Sequence, residues 1–128
     1  MALVVLLRGV NVGGHRTFKP TQLTAQLKHL DAVNIGAAGT LVIRKPIAAG
    51  KLRAELAKRL PFVTEIVICQ GRDILRLLET RHFDKYPERK EETRFVSVLS
   101  KAAPRTLALP ITLPETGRWL MKILARDD

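Results

Sequence analysis

The sequence predicts a mixed α/β fold (α+β) whose first part runs β-α-β-β-α-β, and three observations carry that prediction. An unbroken apolar run, Ala2 to Leu7, reads as a buried strand. Two leucine stripes at helical spacing follow it, Leu23-Leu27-Leu30 and Leu52-Leu56-Leu60. Around them lie short stretches rich in Val and Ile, bounded by glycine or proline, as strands are.

Ala2 to Leu7 is apolar without interruption, as a strand covered on both faces would be. No basic residue precedes it, Arg8 ends it, and it falls far short of the ~18–20 residues of a membrane span. It is therefore expected to be a strand rather than a signal segment or a transmembrane helix. Pro20 suits a first helical position, and Leu23, Leu27 and Leu30 at i, i+4, i+7 predict a helix over residues 20–30. Ala32 to Ile35 and Gly39 to Arg44 form two short strands about Gly36-Ala37-Ala38-Gly39, a hairpin in which glycine supplies the turn dihedrals. A second helix over residues 48–60 buries Leu52, Leu56 and Leu60 and stops at Pro61, with Lys51, Arg53, Lys58 and Arg59 mostly off that stripe. Val63 to Cys69 is then a β-branched strand. Right-handed crossovers and the hairpin leave one economical arrangement, a ferredoxin-like βαββαβ sandwich with both helices on one face of the sheet.

Gly71-Arg72-Asp73 opens a third helix carrying Ile74, Leu75, Leu77 and Leu78 and ending near Thr80–Phe83. Phe95 to Leu99 and Trp119 to Leu124 read as two further strands. Pro104, Pro110 and Pro114 space out a connection that is loop or sheet edge, because proline donates no ladder bond. The expected division is a ferredoxin-like unit over residues 1–70 and, over residues 71–128, a helix with an incomplete second β unit packed on it, all in one compact domain.

The chain has 128 residues and a formal net charge of +10, unevenly placed. Residues 1–60 hold ten Lys/Arg against Asp31 and Glu55 alone, whereas Arg72 to Arg94 mixes both signs as a solvated, ion-paired stretch does. The basic excess favours an acidic partner such as nucleic acid, a nucleotide or a phosphorylated metabolite, against the plainer reading that it only aids solubility. A single cysteine, Cys69, excludes an intramolecular disulfide and suits a reducing cytoplasm.

In the ferredoxin-like order, the loop after the first strand shares one end of the sheet with the hairpin. Arg8, Asn11, Gly13, Gly14, His15 and Arg16 then lie near Gly36 to Thr40. With Gly39 and Thr40 they make a candidate anion site of backbone N–H donors and Arg forks. The competing reading is two tight turns trimmed with solvated arginines.

Leu6-Leu7-Arg8-Gly9-Val10-Asn11-Val12-Gly13-Gly14 resembles the N-terminal signature of the domain-of-unknown-function 1697 family, DUF1697. The hairpin falls where that family places its second glycine motif. The resemblance spans residues 2–83, with a weaker echo at Phe95 to Ser100. It implies ferredoxin-like α/β units in a cytosolic bacterial protein and no particular activity. Where many members resemble Gln-Ser-Gly-Asn in the hairpin, this chain has Ala37-Ala38-Gly39-Thr40. Members also commonly continue into a C-terminal part with an Asn-Trp-Asn motif, whereas this chain ends at Asp128. The expectation is a shortened C-terminal part whose incomplete sheet exposes an edge to another subunit.

Other chemistries find little support. His15, His29 and His82 have no His or Cys partner at i+3 or i+4, and one cysteine builds no zinc cluster, so no metal or cofactor is expected. Cys69 at the end of an apolar strand reads as a small core residue. Ser97 and Ser100 lack a nucleophile elbow, and Gly9, Gly13 and Gly14 fit neither the Walker nor the Gly-x-Gly-x-x-Gly spacing. RNA-recognition motifs share the β-α-β-β-α-β order but stack bases on aromatics of the first and third strands. Leu3 to Leu7 and Leu41 to Ile43 contain none. The leading expectation is a non-catalytic module that binds phosphate or a nucleic-acid backbone through Arg8, Asn11, Gly13, Gly14, His15 and Arg16. The alternatives are an enzyme acting on a small phosphorylated substrate with His15 as acid/base, and a homo-oligomeric assembly protein pairing through a sheet edge. No membrane association is expected.

Overall fold

Strand β1 (Leu3–Leu7) is apolar at every position, yet only Leu3, Val5 and Leu7 are buried. Successive strand side chains point to opposite faces, so Val4 and Leu6 lie on the other side, half-buried. The expected cover on both faces is corrected to full cover on one. A computed structural model describes residues 2–127, which fall into a unit of residues 1–76 and a second of residues 77–128.

In the first unit, β1 leads through the glycine loop to helix α1 (Pro20–Gln26), with Pro20 in its first turn. The expected continuation to residue 30 is broken. The Leu27 N–H reaches the carbonyls of both Leu23 and Thr24, and Lys28–Leu30 winds as a separate 3-10 turn closed by Asp31 in the left-handed region (φ 53°). Strands β2 (Ala32–Ile35) and β3 (Thr40–Ile43) form the hairpin, helix α2 (Ala49–Arg59) crosses back, and β4 (Ile66–Gln70) completes the sheet. The strand order is β2-β3-β1-β4 with every neighbouring pair antiparallel, which is the ferredoxin-like arrangement.

Register explains the core. Leu3 stands opposite Ile43, and Val5 opposite Leu41 and Ile68, so one face collects the large aliphatics. Leu23, Leu27 and Leu30 from the first crossover and Leu52, Leu56 and Leu60 from the second are buried together with them. Both leucine stripes therefore serve the face that the sequence assigns them. The other face carries Val4, Leu6, Val33, Val42, Val67 and Cys69, all half-buried. Strand β4 begins at Ile66 rather than Val63, which is 92% exposed. Ile66 pairs with Leu7, the last residue of β1, and beyond it the chain turns away at Gly9 (φ 64°), leaving Val63 no ladder.

Helix α3 (Gly71–Glu79) follows β4 directly and ends one residue before the expected Thr80–Phe83. Its apolar stripe is not core: none of its residues is buried, and Leu75 and Leu78 are exposed. In the second unit, β5 (Ile111–Leu113) and β6 (Met121–Ile123) pair antiparallel, Thr112 opposite Lys122. Pro110 and Pro114 flank β5 and hold it to three residues. The strand expected over Trp119 to Leu124 is thus shortened, and part of the proline-spaced connection is itself a strand. The strand expected over Phe95 to Leu99 does not form, and all five residues are exposed. β-Branched side chains suit a pleated surface but supply no neighbour to bond, and this segment has none.

Candidate functional site

The glycine loop and the hairpin turn meet at one end of the sheet, joined by backbone and by one side chain. The Leu7 N–H donates to the Gly39 carbonyl at 3.0 Å. Asn11 Nδ2 donates to the Ala37 carbonyl at 3.0 Å, while its Oδ1 accepts the Phe18 N–H at 3.0 Å. The Asn11 N–H donates to the Arg16 carbonyl at 3.2 Å and its φ is 55°. Asparagine tolerates that left-handed conformation better than most residues. The Asn11 side chain is thereby committed to tying loop, hairpin and α1 entry together, and its amide does not face a ligand.

Gly39 is also explained by packing. Its φ is 80°, and a Cβ there would lie 2.5 Å from Val10 Cγ2 and 3.0 Å from Leu7 Cβ. Val10 itself is buried under the hairpin and joins the core, and Phe18 from the same loop packs partly buried against it. Thr40 stands opposite Leu6 in β1, on the sheet face away from the helices.

Gly13 and Gly14 occupy the centre of a tight turn in which the His15 N–H donates to the Val12 carbonyl at 3.0 Å. Both have positive φ (57° and 77°), the requirement of a type I′ turn. A Cβ on Gly14 would meet open space, and Val12 to Arg16 are exposed. Arg16 folds back so that its Nη1 lies 3.3 Å from where a Cβ on Gly9 would be. Arg8 is tied on both sides: its N–H donates to the Glu65 carbonyl, its Nη1 lies 2.9 Å from Glu65 Oε2, and Thr64 Oγ1 donates to its carbonyl at 2.6 Å. So exposed an ion pair is worth about 0–1 kcal/mol, and an incoming phosphate could displace Glu65 at small cost. The eight sequence-chosen residues are thus gathered at one end, but divided. Asn11 and Gly39 build the junction, Thr40 lies on the sheet, and Gly13, Gly14, His15, Arg16 and Arg8 face solvent.

A groove next to this junction was not legible in the sequence. It runs between α1 and the end of α2, about 610 Å³ in volume, lined by Thr17, Phe18, Lys19, Gln22, Leu23, Gln26, Arg59, Leu60 and Pro61. Leu23 and Leu60 form a buried floor, and Phe18 meets Phe62 edge to face, centroids 5.8 Å apart at 78°. The signal that could have found it is the pair Gln22 and Gln26, polar residues one helical turn apart and therefore on one face.

Charge is distributed unequally between pairs and free cations. The four carboxylates of residues 1–76 all pair with arginine: Asp31 with Arg44, Glu55 with Arg59, Glu65 with Arg8 and Asp73 with Arg76. The hydrogen bond and then the charge of Arg59 hold the Glu55 carboxyl below the ordinary carboxylate value. Burial, and then the nearby Asp73, push the Cys69 thiol up, away from thiolate chemistry. Among the described residues no three His, Cys, Asp or Glu side chains converge as metal ligands, and no helix is long and apolar enough to cross a membrane.

No curated protein and no solved structure matches the chain. The family described as a protein of unknown function, DUF1697, matches residues 1–118. With that match over nearly the whole chain, beginning ahead of the Arg8-Gly9-Val10-Asn11 signature and running past α3, the protein belongs to the DUF1697 family.

Proposed function

We propose that residues 1–76 act as a non-catalytic module that binds phosphate groups of a nucleic-acid backbone, working in the cytoplasm. One observation carries this reading. With Asp31, Glu55, Glu65 and Asp73 each held by an arginine, Arg16, Lys19, Lys28, Lys45, Lys51, Arg53, Lys58 and Arg72 have no carboxylate within 4.0 Å among the described residues. The unit therefore presents a surplus of positive charge that its own acids do not neutralise, the electrostatic footprint of a polyanion binder. At the glycine end, Arg16 and Lys19 follow an exposed turn with two positive-φ glycines, where backbone N–H groups add to the side-chain donors. The single cysteine supports the reducing compartment.

The test is fluorescence anisotropy of a labelled oligonucleotide across a salt series. Binding should weaken as a power of the salt concentration and ignore sequence. The R16A/K19A variant should lower the salt slope by about 1–2, roughly one for each phosphate that the variant no longer neutralises. No binding at the lowest salt would overturn the reading, and the charge would then serve solubility alone.

A further inference from the structure

We propose that the groove between α1 and the end of α2 holds one unpaired nucleotide of a single strand, its base against Phe18 and read by Gln22 and Gln26. The inference rests on the phosphate-binding reading and specifies its partner. The groove differs from the cationic surface around it in three ways. Its floor is apolar, formed by Leu23 and Leu60, both buried. It contains an aromatic ring, Phe18, in a domain whose sheet strands carry none. And it has two primary amides one helical turn apart on α1.

Each feature matches one part of a nucleotide. A carboxamide both donates and accepts, as base edges do, whereas a bare phosphate needs donors only. Bases stack on aromatic side chains with little regard to sequence. Lys19 lines the same groove and lies three residues beyond Arg16, so a phosphate held there continues toward the exposed glycine turn. Arg59, on the opposite wall, is bound to Glu55 and is the fixed cation of the pair.

Size and shape select the source. About 610 Å³ lies within the range of roughly 300–1,000 Å³ typical of small-ligand sites, but the groove is open to solvent rather than enclosed. An open groove leaves a free nucleotide largely solvated, while a strand is also held by phosphates on either side. A base paired in a duplex cannot enter it.

The experiment compares three probes of equal label on the whole protein, a single-stranded oligonucleotide, a duplex of the same length and an abasic strand of the same charge, with an unlabelled mononucleotide as competitor. The single strand should bind about tenfold more tightly than either the duplex or the abasic strand, the loss expected on removing one stacked base. Q22A/Q26A, at exposed positions on α1, should bring the single strand down to the abasic level without changing abasic binding. F18L, which keeps apolar bulk but removes the ring, should do the same. Equal affinity for single strand, duplex and abasic strand, unmoved by these variants, would refute the groove while leaving the phosphate module intact. Failure of every strand to bind would instead remove the phosphate module and this inference with it. Displacement by the mononucleotide at concentrations near the strand's own Kd would overturn the assignment to a strand.

Discussion

Asn11 and Gly39 do different jobs at the same junction, and their substitutions should fail differently. Asn11 supplies two side-chain hydrogen bonds from a left-handed backbone position. N11A loses both bonds and places alanine at positive φ, for an expected destabilisation of about 2–3 kcal/mol by urea unfolding. N11G loses the bonds but relaxes the backbone, and should cost measurably less than N11A. G39A keeps every hydrogen bond but drives a methyl group into Val10 and Leu7 at a strained φ, for about 2–4 kcal/mol. If N11A and N11G were equally damaging, the backbone conformation would not matter there. Cys69 gives a chemical counterpart at this scale. Its thiol, pushed up by burial and then by Asp73, should alkylate more slowly than a free thiol at pH 8, and D73N should restore part of the rate.

Helices α1 and α2 were readable because each has its leucines at a helical period and a proline at one end. The sequence could not show where β-branched segments would find neighbours. Ile66 to Ile68 and Phe95 to Leu99 look alike as strings, but only the first lies in register with β1. The same limit hid the groove, since its walls come from segments more than thirty residues apart and only folding brings Lys19 and Arg59 to one cavity. The last turn of α2 carries its own prediction. The Arg59 hydrogen bond and charge lower the Glu55 pKa in the folded state, relative to its ordinary value of 4.5. The stabilisation is therefore complete above that ordinary value and is lost as pH falls through the lower folded value. Thermal melts should show a smaller drop from pH 6 to pH 3 for E55Q than for the wild type. An identical drop would mean that the pair does not contribute.

For the molecule as a whole, regular structure is concentrated in residues 1–76, where the expected βαββαβ order is realised. Residues 93–103 lie outside any helix or strand and include Arg94 and Lys101. Trypsin should therefore cut in this stretch or at nearby Arg105 before it cuts at Arg53, Lys58 or Arg59 on α2, as mass spectrometry of an early digest can establish. First cleavage within α2 would contradict the burial of that helix against the sheet. The chain's chromophores divide along the same line. Its single tryptophan, Trp119, and its single tyrosine, Tyr86, both belong to residues 77–128, with the Lys122 ammonium 4.8 Å above the indole ring. Emission excited at 280 nm is thus a private reporter of the second unit, while amide circular dichroism is weighted toward the helices and sheet of the first. Heating one sample and following both signals would turn this accident of composition into an instrument. Coincident curves would show that the two units melt as one, and separated curves would give each its own transition without a label or a mutation.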